Sequence, residues 1–431
     1  MYTKKTNFLY RNIIARIKPW IERDEIIVIL GARQVGKTSL LHYLKDEIEK
    51  KAEKTFFIDL EDLDLRAYLD TPRHLLSYLE ALGWRKGERA YLFLDELHYM
   101  RNASSILKYI HDHYKEIKVI ATGSSSLRLK FKLEEPLTGR KVVFTLFTLS
   151  FPEYLHFTGK DELKKILEES KGNPIPEPFI SRLFSAYEEY LIYGGYPKVA
   201  LEHSRDLKQM LLKEIHNTYM DKELRSFLNE ESLLKFKTFI EFTASQNSGL
   251  MKVSEISKEV GISRVTVYRY LTILEETFII GFLRPYFKNR QKEITHLPKL
   301  YFMDTGFLNF TIKDFRSLFL RKDAGSLLET SIFTSILRNL NPLEELKFYR
   351  TKRGEEIDFI LRRGEKLIPI ETKWSFHRKL LPAIFQNFLK AHNIKEIYLI
   401  SKDKCEIEKI GKVRFNFLYP WCLEYVLWKK E

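Results

Sequence analysis

At 431 residues, with 44% hydrophobic residues and a net charge of +14, the chain is long enough for several domains with full cores. Its basic balance favours an anionic partner, nucleic acid before a membrane surface. Its two cysteines, Cys405 and Cys422, exclude a disulfide framework and a cysteine-based zinc site. No apolar run is long enough to span a bilayer, and the opening stretch to Trp20 lacks the apolar core of a secretory signal. A cytoplasmic protein with no membrane role is therefore expected.

After a helical lead-in, Glu25–Leu41 reads EIIVILGARQVGKTSLL: a buried strand, a glycine-bounded loop and the start of a helix. Gly31, Gly36, Lys37 and Thr38 fit G-x-x-x-x-G-K-[ST], the phosphate-binding P-loop. Gly31, Ala32, Arg33, Gln34, Val35, Gly36, Lys37, Thr38 and Ser39 would cradle the phosphates of ATP. The backbone N–H groups and the positive end of the helix dipole face the anion. Lys37 brings a point charge to the β- and γ-phosphates, and the Thr38 hydroxyl suits Mg²⁺. Lys54–Asp59 reads as a second buried strand. Tyr91–Glu96, YLFLDE, is an apolar strand ending in two acids, the Walker B arrangement. Asp95 is placed to hold the Mg²⁺ shell and Glu96 to polarise the attacking water. His98, His111 and His113 read as surface or packing residues rather than ligands. The strand Lys118–Ala121 runs into Thr122-Gly123-Ser124. Either Thr122 or Ser124 occupies the place of sensor 1 in AAA-type ATPases, which it resembles. Arg140, before the strand Val142–Phe147, is a candidate arginine finger or a surface salt-bridge residue, and spacing does not say whether it would act in its own chain or a neighbour's.

GARQVGKTSLL, YLFLDELHY, VIATGSSS, LTGRKVVFTLFTLSFPEYL and YGGYPKVAL, in this order, resemble a prokaryotic, especially archaeal, family of AAA-superfamily ATPases. The segment PKLYFMDTGFLN (Pro298–Asn309) resembles the same family. The resemblance implies an α/β ATPase core followed by a helical region, with Lys37, Thr38, Asp95 and Glu96 as functional residues. Strand order does not follow from spacing, and no task for Asp304 follows from its position.

Val253–Val260, a turn at Gly261-Ile262-Ser263 and Arg264–Thr277 have helix-turn-helix spacing. Thr266 and Arg269 lie off the apolar stripe, where a recognition helix contacts DNA. Phe278–Tyr286 and Lys299–Phe302 are expected as the strands of a wing, with Lys288–Lys292 as its basic tip. A winged helix that packs only on protein has the same pattern.

In the last stretch, Gly325–Leu340 reads as a helix, and Leu346–Arg350, Ile357–Leu361 and Leu367–Lys373 read as strands. The turn Arg363-Gly364-Glu365-Lys366 fits a two-residue hairpin. That register sets Asp358 opposite Glu371, an unfavourable pair of like charges unless a cation sits between them. Lys373, on the same face as Glu371, could supply that charge, and so could a divalent metal. Asp358, Glu371-Thr372-Lys373 and the helical Glu329 resemble the PD-(D/E)XK nuclease superfamily, although Ile357 stands where the name has proline. The resemblance implies Asp358 and Glu371 as metal ligands, Lys373 as the residue that activates water, Glu329 behind them and Gln386 as an accessory group.

The expected architecture is an α/β P-loop NTPase of AAA type. It comprises a parallel-sheet core (1–150), a helical region (151–225), a winged helix (226–310) and a C-terminal α/β nuclease-like domain (325–431). Lys171–Pro178 and Thr311–Ala324 read as linkers. The expected function is Mg²⁺-dependent ATP hydrolysis acting on, or regulated by, DNA. A low-turnover nucleotide switch regulating a protein partner and an ATP-controlled metal-dependent nuclease are the alternatives. A homo-oligomer or a protein partner is compatible with all three.

Overall fold

The computed structural model describes residues 8–123, 137–287, 289–375, 388–389 and 391–428. The chain divides into two units, one within residues 1–147 together with 276–278, the other within 148–275 and 279–431. Among the described residues, no helix is long and apolar enough to cross a membrane.

The first unit is built on strands β1 (Ile26–Leu30), β2 (Lys54–Asp59), β3 (Ala90–Asp95), β4 (Ile117–Gly123) and β5 (Lys141–Thr145). They form one parallel sheet in the order β2-β3-β4-β1-β5. β3 and β4 are buried along their whole length, as central parallel strands must be when helices cover both faces. Helix α1 (Lys37–Glu49) follows β1 and packs through Leu40, Leu41, Leu44 and Ile48, a stripe at helical spacing. The strand order sets β4 between the P-loop strand and the strand that carries Asp95. This is an AAA-type P-loop α/β core.

The second unit opens with helices. Ser150 and Glu153 form a capping box at the start of Phe151–Phe157. The helix-turn-helix is present as α2 (Val253–Val260) and α3 (Arg264–Glu276), the latter buried through Val267, Tyr270, Leu271, Ile273 and Leu274. Strands β6 (Ile280–Pro285) and β7 (Lys299–Phe302) pair antiparallel. Helices α4 (Thr305–Ile312) and α5 (Ala324–Asn339) follow. Then come β8 (Glu344–Arg350), β9 (Glu356–Arg363), β10 (Lys366–Thr372), β11 (Glu396–Ile400), β12 (Glu406–Ile410) and β13 (Val413–Leu418). The β9–β10 register is the one the turn demands: Lys366 pairs with Arg363 and Ile370 with Phe359.

Three features depart from expectation. The basic wing tip is not an extended loop. Arg290–Thr295 is a short helix capped by the Asn289 side chain, and Lys288 lies outside the described residues. The two strands expected as a wing are also not separate from the C-terminal strands: β6 pairs in parallel with β8, giving one eight-stranded sheet, β12-β13-β11-β10-β9-β8-β6-β7. Hydrogen bonding therefore crosses the boundary expected between residues 310 and 325. Lastly, the expected linker Thr311–Ala324 is held in place, because the buried Arg321 donates to both Asp323 oxygens (2.9 and 2.6 Å) and to the Asp314 carbonyl (2.6 Å).

The segments LSFPEYL, GGYP and DTGF meet inside this unit. Asp304 caps α4 through Phe307 N (3.0 Å) and accepts from Gly195 N (2.8 Å), while Leu149 N donates to Gly195 O (2.7 Å). Burial pushes the Asp304 carboxyl up, against those two hydrogen bonds. A Cβ on Gly306 would stand 2.0 Å from the Tyr193 carbonyl oxygen, so only glycine permits the approach. These segments build a packing junction, and that is the task of Asp304.

Candidate functional site

The P-loop joins the carboxyl end of β1 to the first turn of α1. Gly31 is held against the chain beyond β5: a Cβ there would lie 2.2 Å from Leu146 O, and Leu146 N donates to Leu30 O (2.7 Å). Ala32 and Val35 are buried, Arg33 is half-buried, and Gln34, at φ +63°, is exposed. Gly36 caps α1, and Thr38 and Ser39 are exposed in its first turn. Lys37 is buried and folds back onto its own loop. Its Nζ donates to Gly31 O (3.1 Å) and Ala32 O (3.0 Å) and lies 4.0 Å from Glu96 Oε1.

The acids stand at the same end of the sheet. Asp95 ends β3 and is buried. Thr122, fully buried at the end of β4, donates to Asp95 Oδ1 and accepts from Glu96 N (3.0 Å). In this structure it therefore fixes the acid pair. Ser124, the other sensor candidate, lies outside the described residues. Glu96 turns the chain at φ +53°, a left-handed conformation that costs a non-glycine residue free energy and that surrounding contacts must hold. Its Oε2 is 3.0 Å from His98 Nδ1. Burial opposes ionisation of Glu96, but the His98 ring 3.0 Å away and the charges of Lys37 and Arg33 outweigh it and hold the carboxyl down at about 2.

Two contributors were missed in the sequence. His98, expected as a surface or packing residue, is buried with Nδ1 3.0 Å from Glu96 Oε2, and the only signal of that contact was its place two residues after the acid. Arg11, in the lead-in, donates to Val35 O (3.0 Å) and Phe147 O (2.8 Å), tying the P-loop to the strand-side chain. Nothing in the spacing pointed to it.

The donor set fits Mg-ATP. Lys37, Arg33, the loop N–H groups and the α1 terminus suit phosphates, and the Thr38 hydroxyl and Asp95 are hard oxygen donors suited to Mg²⁺. Arg140 is not part of this centre. It precedes β5, whose first residue pairs with Ile26, so the length of β1, about 15 Å, separates it from its own P-loop. Its Nε donates instead to Asp112 Oδ1 (2.7 Å) on the exposed surface. In this structure Arg140 therefore stands away from the P-loop of its own chain.

In the second unit, Asp358 and Glu371 do meet across β9 and β10. Asp358 N donates to Glu371 Oε2 (3.3 Å), and Asp358 Oδ2 accepts from Thr372 N (2.8 Å) and Oγ1 (2.7 Å). Lys373 Nζ is 2.5 Å from Glu371 Oε1, so the lysine supplies the charge that the register called for. Glu329, on α5, joins the cluster, but its oxygen Oε1 accepts from Tyr301 (2.6 Å) and from Lys299. Lys299 also donates to Glu356 Oε1 (2.7 Å), whose other oxygen takes Arg350 (2.9 Å). Burial and Asp358 push Glu329 up to about 7 and Glu371 up to about 8, against the pull of Lys299 and Lys373 respectively. Each of the four carboxylates thus already accepts from a donor of this chain. A divalent metal held by Asp358 and Glu371, as the nuclease resemblance implies, would share these oxygens with Thr372 and Lys373. Lys299 and Glu356 were not foreseen, because Lys299 arrives from a different hairpin. Gln386 lies outside the described residues.

In the helix-turn-helix, Thr266 Oγ1 lies 2.9 Å from the Ser263 hydroxyl, and Arg269 donates to Phe227 O (2.8 Å). Arg264, Val265, Tyr268 and Arg269 form the exposed face of α3.

Comparison with known proteins matches residues 23–155 to a family described as AAA domain. Residues 185–318 and 324–415 match two families described as domains of unknown function, DUF8612 and DUF4143. The uncharacterized protein MJ1544 of Methanocaldococcus jannaschii is 27% identical over 365 residues, 83% of this chain and 76% of its own. An uncharacterized protein of Haemophilus influenzae is 22% identical over 423 residues, 96% of this chain and 98% of its own. Among solved structures, AMPPCP-bound DnaA from Aquifex aeolicus aligns with 63% of this chain and 90% of its own, with a TM-score of 0.31 and 14% identity.

Proposed function

We propose that this chain is a Mg²⁺-dependent ATPase that couples ATP hydrolysis to action on DNA. The observation that carries the ATPase reading is the ionised Glu96, following β3 and 4.0 Å from the P-loop lysine. In this reading Lys37 leaves the Gly31 and Ala32 carbonyls for the phosphates, and the loop N–H groups hold them in place. Thr38 and Asp95 would hold Mg²⁺, which when bound would supply positive charge to the phosphates. Glu96 accepts a hydrogen bond from the attacking water and orients it, and His98 keeps Glu96 ionised. Thr122 keeps the two acids in register.

The DNA part is supported by the net charge of +14 and by the helix-turn-helix, whose outward face offers Arg264, Tyr268 and Arg269. DNA cleavage is not part of the reading, since the acids of the second cluster are compensated by Lys299, Arg350 and Lys373.

Steady-state phosphate release tests the hydrolase. Glu96→Gln should lower it by roughly 10²-fold or more while leaving ATP binding in place. Equal low rates in both proteins would mean a nucleotide switch instead. DNA affinity should fall steeply with salt and weaken in Arg264→Ala. A salt-insensitive or absent interaction would leave α2 and α3 as a protein-packing module.

A further inference from the structure

The ATPase reading leaves a second concentration of buried charge unused. Glu329 on α5 and Glu356 and Asp358 on β9 each bring a carboxylate oxygen within 4.8 Å of the others. Oxygens so grouped can surround a hard cation, as they do in magnesium and calcium sites. The occupant here is an ammonium. Lys299 reaches in from β7, the edge strand of the sheet, with only 4% of its side chain exposed, and hydrogen-bonds to Glu329 and Glu356. Tyr301, two residues on and hence on the same face of β7, donates to Glu329 from beside it. Arg350 takes the outer oxygen of Glu356, and Thr372 takes Asp358. A buried ammonium is costly unless paired and hydrogen-bonded, and these acids provide both conditions.

We propose that Glu329, Glu356 and Asp358 form a cation pocket filled by the chain's own Lys299, which keeps divalent metal out while the β6–β7 hairpin is docked on the sheet. Glu356 distinguishes this pocket from a metal site built on Asp358 and Glu371, because Glu356 belongs to the first set alone. The pocket is independent of the ATPase reading, and nucleotide-free protein suffices to test it.

The probe is Mn²⁺ alone, titrated into the full chain and followed by electron paramagnetic resonance and by thermal unfolding. Wild type and Lys299→Arg should show no Mn²⁺ site that Glu356→Gln removes. Lys299→Met vacates the pocket without adding a donor. It should gain one Mn²⁺ site bound roughly tenfold or more tightly than any in wild type, and Mn²⁺ should raise its unfolding temperature. Lys299→Met/Glu356→Gln should lose both gains. Where Lys299→Met folds poorly in metal-free buffer, Mn²⁺ should restore it. The proposal is overturned if wild type binds Mn²⁺ through Glu356, or if Mn²⁺ neither binds nor rescues Lys299→Met.

Discussion

Glu371 is buried and Glu96 largely so, and both stand beside a lysine, yet their carboxyls are driven in opposite directions. In the first unit, burial of Glu96 is outweighed by His98, Lys37 and Arg33, and the acid falls to about 2. In the second, burial of Glu371 is reinforced by Asp358 across the hairpin, Lys373 cannot offset the two, and the acid rises to about 8. The difference lies in the count of charges. Glu96 faces several cationic groups, whereas Glu371 faces one lysine and one like charge. Glu329 follows Glu371, with Asp358 above Lys299 in influence. In the proposed function the acid held ionised beside the P-loop is the one that orients water. Acids pushed toward neutrality around an internal ammonium are prepared to hold an element in place.

The contrast has a pH signature, and this is where it would break most visibly. A carboxyl whose folded pKa lies above its ordinary value keeps its proton longer in the folded chain. The stability it contributes is complete below about 4.5 and is lost as pH rises through about 7 for Glu329 and about 8 for Glu371. Glu96 has the opposite sign: its contribution is complete above about 4.5 and is lost only as pH falls through about 2. Urea unfolding should therefore show wild type losing stability between about pH 5 and about pH 8. Glu371→Gln should flatten that slope, and Glu96→Gln should leave it intact. A wild type equally stable across the range would refute the raised carboxyls.

A smaller effect sharpens the catalytic side. His98 is the leading group that draws Glu96 down, so His98→Gln should let the acid rise. The acid limb of the phosphate-release profile should then move up by about one pH unit, equivalent to ~1.4 kcal/mol. The plateau rate near neutral pH should change far less. A plateau that falls with no movement of the limb would mean that His98 serves the fold rather than the charge of Glu96.

The P-loop, the acid-ended strand β3 and the β9–β10 register were legible because each depends on local chemistry. A glycine-bounded loop before a helix, an apolar run ending in acids and a two-residue turn carry their geometry within a few residues. The groups that complete both centres were not legible. Arg11 reaches the loop from the lead-in, His98 turns inward on a short turn, and Lys299 comes from another hairpin. The most family-like segments also misdirected attention. GGYP and DTGF are distinctive because Gly306 must pass against the Tyr193 carbonyl and Asp304 must hold Gly195, which are packing demands. The continuity of β6 with β8 was hidden for a further reason. Parallel pairing joins strands distant in sequence and has no turn to announce it.

Arg140 gives the smallest expected effect and the cleanest limit on the first unit. It precedes β5 at the sheet end opposite the P-loop and is engaged with Asp112 in solvent. An exposed ion pair of this kind stabilises little, because water screens it and both side chains must be ordered. Arg140→Ala should therefore leave the unfolding midpoint unchanged. Phosphate release per chain, measured at dilutions where wild-type activity no longer depends on concentration, should also be unchanged. If wild-type activity rises with protein concentration and Arg140→Ala removes only that rise, Arg140 reaches the P-loop of a neighbouring copy. A loss at every dilution would place it in its own centre, against the strand register that now keeps it out.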